Sequence, residues 1–194
     1  LANLDDDIYS FPYLDDFRYS IADGGGHDTL DLSNWRSPIA IDFGSDPWVH
    51  SQASASVDAD YEYGKIFIVD GTSIESVIAT DLDDVIYADA PLDNLMMNSG
   101  NDFVSFWDSF NTADGGSGSD VVDIETRVRL YADTTSDGFT QLFYMLNDRK
   151  EVFGEIKNFE ELRINGEATA IQGLLSDGRL LGLDESKVDR VLGS

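Results

Sequence analysis

The chain has 194 residues, 38 of them Asp or Glu and only 12 Lys or Arg, for a formal charge of −26 at pH 7. So large an excess of one sign repels nucleic acid and anionic membranes, and it opposes compaction unless cations neutralise it. The absence of cysteine excludes disulfide staples and zinc thiolate sites, and no apolar stretch is long enough to span a bilayer.

Three sections follow along the chain. Residues 1–72 form an N-terminal β section. It opens with LDDDIYSFPYLDDFRYS, in which Asp6 and Ile8 stand two positions apart, and it reaches a glycine-rich loop at 23–28. From Asp28 a nine-residue register sets Leu30, Ile39 and Trp48 at inward positions. Residues 51–60 are small and polar and read as irregular, whereas KIFIVD at 65–70 reads as a buried strand. Trp35, Trp48, Tyr61 and Tyr63 read as packing residues. Asp5, Asp6 and Asp7 with Asp15 and Asp16 read first as a solvated acidic surface and second as an additional calcium cluster.

Residues 73–130 carry the organising pattern. Asp84, Asp93, Asp102, Asn111 and Asp120 recur at nine-residue intervals, each followed two positions later by Ile86, Leu95, Val104, Ala113 or Val122. The last member, GGSGSDVVD at 115–123, fits the glycine-rich nonapeptide of calcium-binding parallel β-helices at every defined position. NSGNDFVSF at 98–106 keeps its second glycine, its Asp and its inward Val; TDLDDVIY at 80–87 has Leu82 where glycine is expected. Glycines in such a loop take positive φ and turn carbonyls toward an ion, and the Asp adds formal charge.

Two nonapeptides make one coil, so Asp84, Asp102 and Asp120 stack on one edge and Asp93 and Asn111 on the other. Calcium needs six to eight oxygens, more than one loop supplies. The expected ligands are therefore Asn98, Gly100 and Asp102 with Gly116, Gly118 and Asp120. A poorer pairing adds Thr80 and Asp84. The opposite edge offers Pro91 and Ser109 in place of glycine and is expected to bind weakly or not at all. The competing reading, solvated turn aspartates with no metal, is stronger on that second edge.

Residues 131–194 are expected to be a metal-free β section with a cap. GFTQLFYMLNDRKEVFGE at 138–155 reads as a hairpin turning at Asn147 and Asp148. Within 158–175, Phe159, Glu160 and Leu162 align with Ile74, Glu75 and Val77, and in the same alignment Thr169 replaces Asp84 while Ile171 matches Ile86. The apolar columns persist there and the ligands do not. A short helix at 185–192 would cap the open end and cover its strand edges.

IADGGGHDTLDLSN at 21–34, SIESVIATDLDDVIYA at 73–88 and the nonapeptides after them resemble the C-terminal domain of the serralysins and their RTX relatives. The resemblance covers roughly 17–125. It implies an all-β fold, a right-handed parallel β-roll or β-helix with flanking β-sandwich-like strands, to which the tail's own residues add the short C-terminal capping helix. It also implies a secreted calcium-binding module, exported unfolded and folded outside, with Asp28 among its metal ligands. No protease is implied, because His27 and His50 are the only histidines and HExxHxxGxxH is absent.

The leading expectation is thus a non-catalytic module of a larger secreted protein, with calcium as its cofactor and no nucleic-acid partner. An adhesin or carbohydrate-binding domain on the same scaffold is the alternative, with Phe103, Trp107 and Phe110 as a ligand face for a glycan or cell-surface partner; packing of Trp107 and Phe110 against the N-terminal section or the cap is the first reading of those two. A calcium-dependent polysaccharide lyase or epimerase ranks last. It would use Arg127 and Arg129, alternating on a strand, near His50, and no convergence of a base on a substrate proton is evident.

Overall fold

A computed structural model describes residues 5–12, 18–43, 48–51, 65–69, 71–89 and 91–169. Short runs with one apolar residue between solvent-tolerant neighbours bury a single side chain and turn, so the described residues form many short strands and no helix. β1 (Ile8–Ser10), β2 (Arg18–Ile21), β3 (Thr29–Asp31) and β4 (Ile39–Asp42) come first, followed by β5 (Trp48–Ser51) and β6 (Lys65–Ile68). Six evenly spaced strands follow: β7 (Ser76–Ile78), β8 (Val85–Ala88), β9 (Asn94–Met96), β10 (Phe103–Phe106), β11 (Thr112–Asp114) and β12 (Val121–Ile124). The chain continues through β13 (Tyr131–Thr134), β14 (Thr140–Leu146), β15 (Arg149–Lys157), β16 (Glu161–Ile164) and β17 (Glu167–Thr169).

Odd and even strands of the repeat part into two sheets. One is ordered β1-β3-β7-β9-β11-β15-β14-β13 and the other β17-β16-β12-β10-β8-β4-β5-β6-β2. Pairing is parallel along the repeat, with Ser76 opposite Asn94 and Asn94 opposite Thr112, and Val85 opposite Phe103 and Phe103 opposite Val121. Each coil therefore consumes eighteen residues, and the all-β, largely parallel architecture is compatible with a β-roll or β-helix. Val77, Leu95, Ala113 and Ile156 on one sheet and Ile86, Val104, Val122 and Leu162 on the other are buried in one continuous core. Each fully buried aliphatic side chain of this kind contributes about 1.5–3 kcal/mol.

Ile39 is buried, as its place in the nine-residue register led us to expect, and Ile41, two positions on, stands opposite Ile86. One register differs from the sequence expectation. At the start, Tyr9 stands opposite Leu30 and Ile8 is 73% exposed, so the aspartate two positions before the inward residue is Asp7 and not Asp6. A one-residue slip sends a side chain to the opposite face.

The hairpin joins β14 to β15 at Asn147 and Asp148, whose φ values of 50° and 61° are those a two-residue primed turn requires. The end of β15 then rejoins the coil, Ile156 pairing with Ala113. The expected cap at 185–192, Ile171, the loop at 52–60, and Asp15, Asp16, Tyr61 and Tyr63 lie outside the described residues. Trp35 is buried as expected, its indole N–H donating to the Phe11 carbonyl at 2.9 Å.

Candidate metal centre

Stacking the coils gives each ladder carboxylate a task that no single loop reveals. Ile39 N–H donates to Asp84 Oδ1 at 2.8 Å, Asp84 N–H to Asp102 Oδ1 at 2.7 Å, and Asp102 N–H to Asp120 Oδ1 at 2.9 Å. The three aspartates are buried, at 0%, 1% and 0% exposure. One oxygen of each thus satisfies a buried amide of the preceding coil.

The second oxygens differ. Thr80 donates to Asp84 Oδ2 from both its N–H, at 2.7 Å, and its hydroxyl, at 2.9 Å, which saturates that carboxylate. Oδ2 of Asp102 and Oδ2 of Asp120 meet no donor. A buried carboxylate oxygen without a partner is costly, and the group responds by holding its proton or by meeting a cation. Desolvation, reinforced by the charges of Asp84 and Asp120, pushes Asp102 up to about 8. Desolvation likewise raises Asp84 to about 6 and lifts Asp120 above the ordinary carboxylate range.

The loops that lead into these aspartates pack too closely for side chains. A Cβ on Gly118, whose φ is 150°, would lie 1.5 Å from the Gly100 carbonyl oxygen, and one on Gly116, at φ 86°, would lie 1.9 Å from the Asn98 oxygen. Ser117 N–H donates to the Asn98 carbonyl and Gly100 N–H to the Ser117 carbonyl, so the loops are zipped in register. Asn98, Gly100, Asp102, Gly116, Gly118 and Asp120 are therefore together, as their spacing required. The free donors there are Oδ2 of Asp102 and of Asp120, and carboxylate oxygen suits a hard cation.

A second group lies at the N-terminal end of the other edge. Asp7, Asp23 and Asp28 each place one carboxylate oxygen within 4.8 Å of the others, an arrangement able to hold a metal ion. Asp28 is fully buried; its Oδ1 accepts from Asp7 N–H at 2.9 Å and its Oδ2 meets no donor. Desolvation raises the Asp28 carboxyl. Asp23 accepts from the Tyr9 hydroxyl and from Gly25 N–H, and the Tyr9 bond in turn raises the phenol and lowers Asp23. Glu75 Oε2 accepts from Asp28 N–H at 2.8 Å. Sequence reasoning found Asp28 and missed Asp7 and Asp23 as its companions. The available signal was the 21-residue register between β1 and β3, visible only once Tyr9 is placed opposite Leu30.

Farther along that same edge, where Pro91 and Ser109 stand in place of glycine, the loops are built differently. Asp93 accepts from Asn111 Nδ2 at 2.7 Å and pairs with His27 Nε2, and both Asp93 and His27 remain over a third exposed. That edge borders an open cleft of about 370 Å³ walled by Pro91, Ser109, Gln141 and Val152.

The aromatic segment splits. Phe110 is 4% exposed, stacked on Phe106 at 3.9 Å and edge-on to Phe153 at 6.1 Å, which removes it from any outward ligand face. Gly154 makes the space, since a Cβ there would sit 2.5 Å from the Phe110 ring. Trp107 is 60% exposed, and Phe103 is half-buried against Tyr87 at 6.0 Å. Arg127 and Arg129 stand in the bend after β12 rather than alternating along a strand, and the His50 side chain lies outside the described residues.

No protein-family model matches the chain, and no curated protein matches it.

Proposed function

We propose that this chain is a non-catalytic calcium-binding module of the RTX type, a right-handed parallel β-roll belonging to a larger secreted protein and stabilised by extracellular calcium. One observation carries the reading: Asp102 and Asp120 bury carboxylate oxygens that no protein group satisfies, between glycine loops stacked closely enough to add backbone carbonyls. A divalent cation with a preference for oxygen satisfies both oxygens and offsets part of the −26 charge. Thr80 marks the upstream limit, because its hydroxyl does for Asp84 what the ion does for its neighbours. Asp7, Asp23 and Asp28 supply a further position. Folding is then coupled to binding, and a chain in low calcium stays loosened until it meets millimolar calcium outside the cell.

Circular dichroism in chelator and in millimolar calcium tests this. The expected result is a reduced β signal and a lower melting temperature without calcium, and full β signal with it, half-restored at roughly 10⁻⁴ to 10⁻³ M. Identical spectra and melting points in the two conditions would refute the proposal.

A second reading is favoured by the exposure of Trp107 and by the Tyr87–Phe103 ring pair, surfaces suited to stacking a sugar ring. Trp107→Ala separates the two: lost glycan or cell-surface attachment with calcium-induced folding intact supports the adhesin reading, and lost folding assigns Trp107 to packing.

A further inference from the structure

Glu75 and Glu160, 85 positions apart, perform one operation at two ends of the coil. Glu75 Oε2 accepts from Asp28 N–H at 2.8 Å, and Glu160 Oε2 accepts from Asp120 N–H at 2.7 Å. The backbone repeats the match: N–H groups of Glu75 and Ser76 donate to the Asp28 carbonyl at 3.1 and 3.0 Å, and those of Glu160 and Glu161 to the Asp120 carbonyl, both at 3.1 Å. Ile74 and Phe159 are the buried anchors immediately before each glutamate. In both places a glutamate closes a ladder that aspartates have carried, and the aspartate beneath it keeps an Oδ2 without a donor. At the first end that aspartate belongs to a three-carboxylate cluster able to hold a metal.

The second end has its own signs of a ligand. Asp120 is fully buried. A Cβ on Gly115 would lie 2.3 Å from the Asn158 carbonyl oxygen, so the turn carrying Glu160 packs on the 115–120 loop as tightly as the metal-type loops pack on each other. Asn158 is fixed there by its amide, which donates to Asp114 Oδ1 at 2.7 Å, and by a φ of 55°. Nearby cations are engaged elsewhere, Arg163 with Glu161 and Lys157 over the Phe139 ring, and among the described residues no cation pairs with Asp120 or Glu160.

We infer that Asp120, Glu160 and the Asn158 carbonyl form a terminal site for a divalent, oxygen-seeking cation, through which the third section of the chain is clasped to the coil. The inference rests on the calcium-binding reading and extends it beyond the nonapeptides, into a section whose sequence shows no ligand pattern. Metal then governs the docking of residues 158–164 as well as the coil.

The test uses the intact chain with calcium as the probe, comparing wild type with Glu160→Gln by equilibrium dialysis. Glutamine retains an acceptor for Asp120 N–H and removes the charge. The expected result is one calcium fewer per chain, or one position weakened roughly tenfold or more, with unchanged circular dichroism in saturating calcium. Unchanged stoichiometry and affinity would overturn the inference. Paramagnetic Mn²⁺ on the wild type gives a readout free of any folding defect in the variant: amide signals of 158–161 should broaden together with those of 116–120. Broadening at 98–102 with 158–161 untouched would overturn the terminal site and leave the coil sites standing. A wild type that binds no calcium sinks both.

Discussion

The two edges of the coil descend from one repeat and have become different objects. On the Gly118 edge the loops stack without side chains between them, so Asp102 and Asp120 are carried below the surface and keep an unpartnered oxygen. On the Pro91 edge the loops carry side chains, and Asp93 stays near solvent where Asn111 and His27 occupy its oxygens. The aspartate is the same. Where glycine stands two positions earlier, as at Gly100 and Gly118, the next backbone approaches and the carboxylate keeps an unpartnered oxygen, whereas Thr80 donates to that oxygen of Asp84.

Gly118→Ala against Ser109→Ala should give the widest separation. The alanine methyl at 118 overlaps the Gly100 carbonyl and takes a left-handed φ, which together cost about 3–5 kcal/mol. Ser109→Ala should stay within about 0.5 kcal/mol. Urea unfolding in saturating calcium measures both, and equal midpoints would erase the distinction between the edges. Next in size is Asp102→Ala, which strands the buried Asp84 N–H and removes one of the proposed cation ligands. It should cost about 3 kcal/mol, against less than about 1 kcal/mol for Asn111→Ala at its exposed position.

The pH dependence sharpens the contrast further. In the folded, metal-free chain Asp102 titrates near 8 and Asp84 near 6, both above the ordinary carboxylate value. The folded state then holds protons that the unfolded state has released, so stability falls as pH rises from about 4 toward 8. Melting temperature in chelator should drop across that window. Saturating calcium should flatten or reverse the trend, because the ion replaces the protons. A metal-free melting temperature that rises with pH would contradict the buried ladder. The smallest effect belongs to Asp93→Asn, which should leave calcium stoichiometry unchanged and shift stability by less than about 1 kcal/mol. Lost calcium in that variant would mean that the Asp93 and Asn111 loops bind as well.

Much of the coil was legible from spacing alone. Ile86, Leu95, Val104, Ala113 and Val122 are all buried where the nine-residue columns placed them, and Asn147 and Asp148 make the turn that their residue types announced. The misplacement of Ile8 for Tyr9 has a plain cause: a register carried across a loop whose length differs from nine. Periodicity is a local property and ends where the repeat is interrupted.

The amino-acid order by itself determined the nine-residue period, the inward columns and the edge on which loops can close, since each depends on residue types a few positions apart and on the freedom of glycine. Tertiary structure alone decided which carboxylate oxygens keep a partner, that Asp7 joins Asp28 across 21 residues, and that Glu160 returns across 40 residues to close the ladder at Asp120. The reason is that a hydrogen bond between coils is set by how separate loops come into register, and no stretch of neighbouring residues encodes that register.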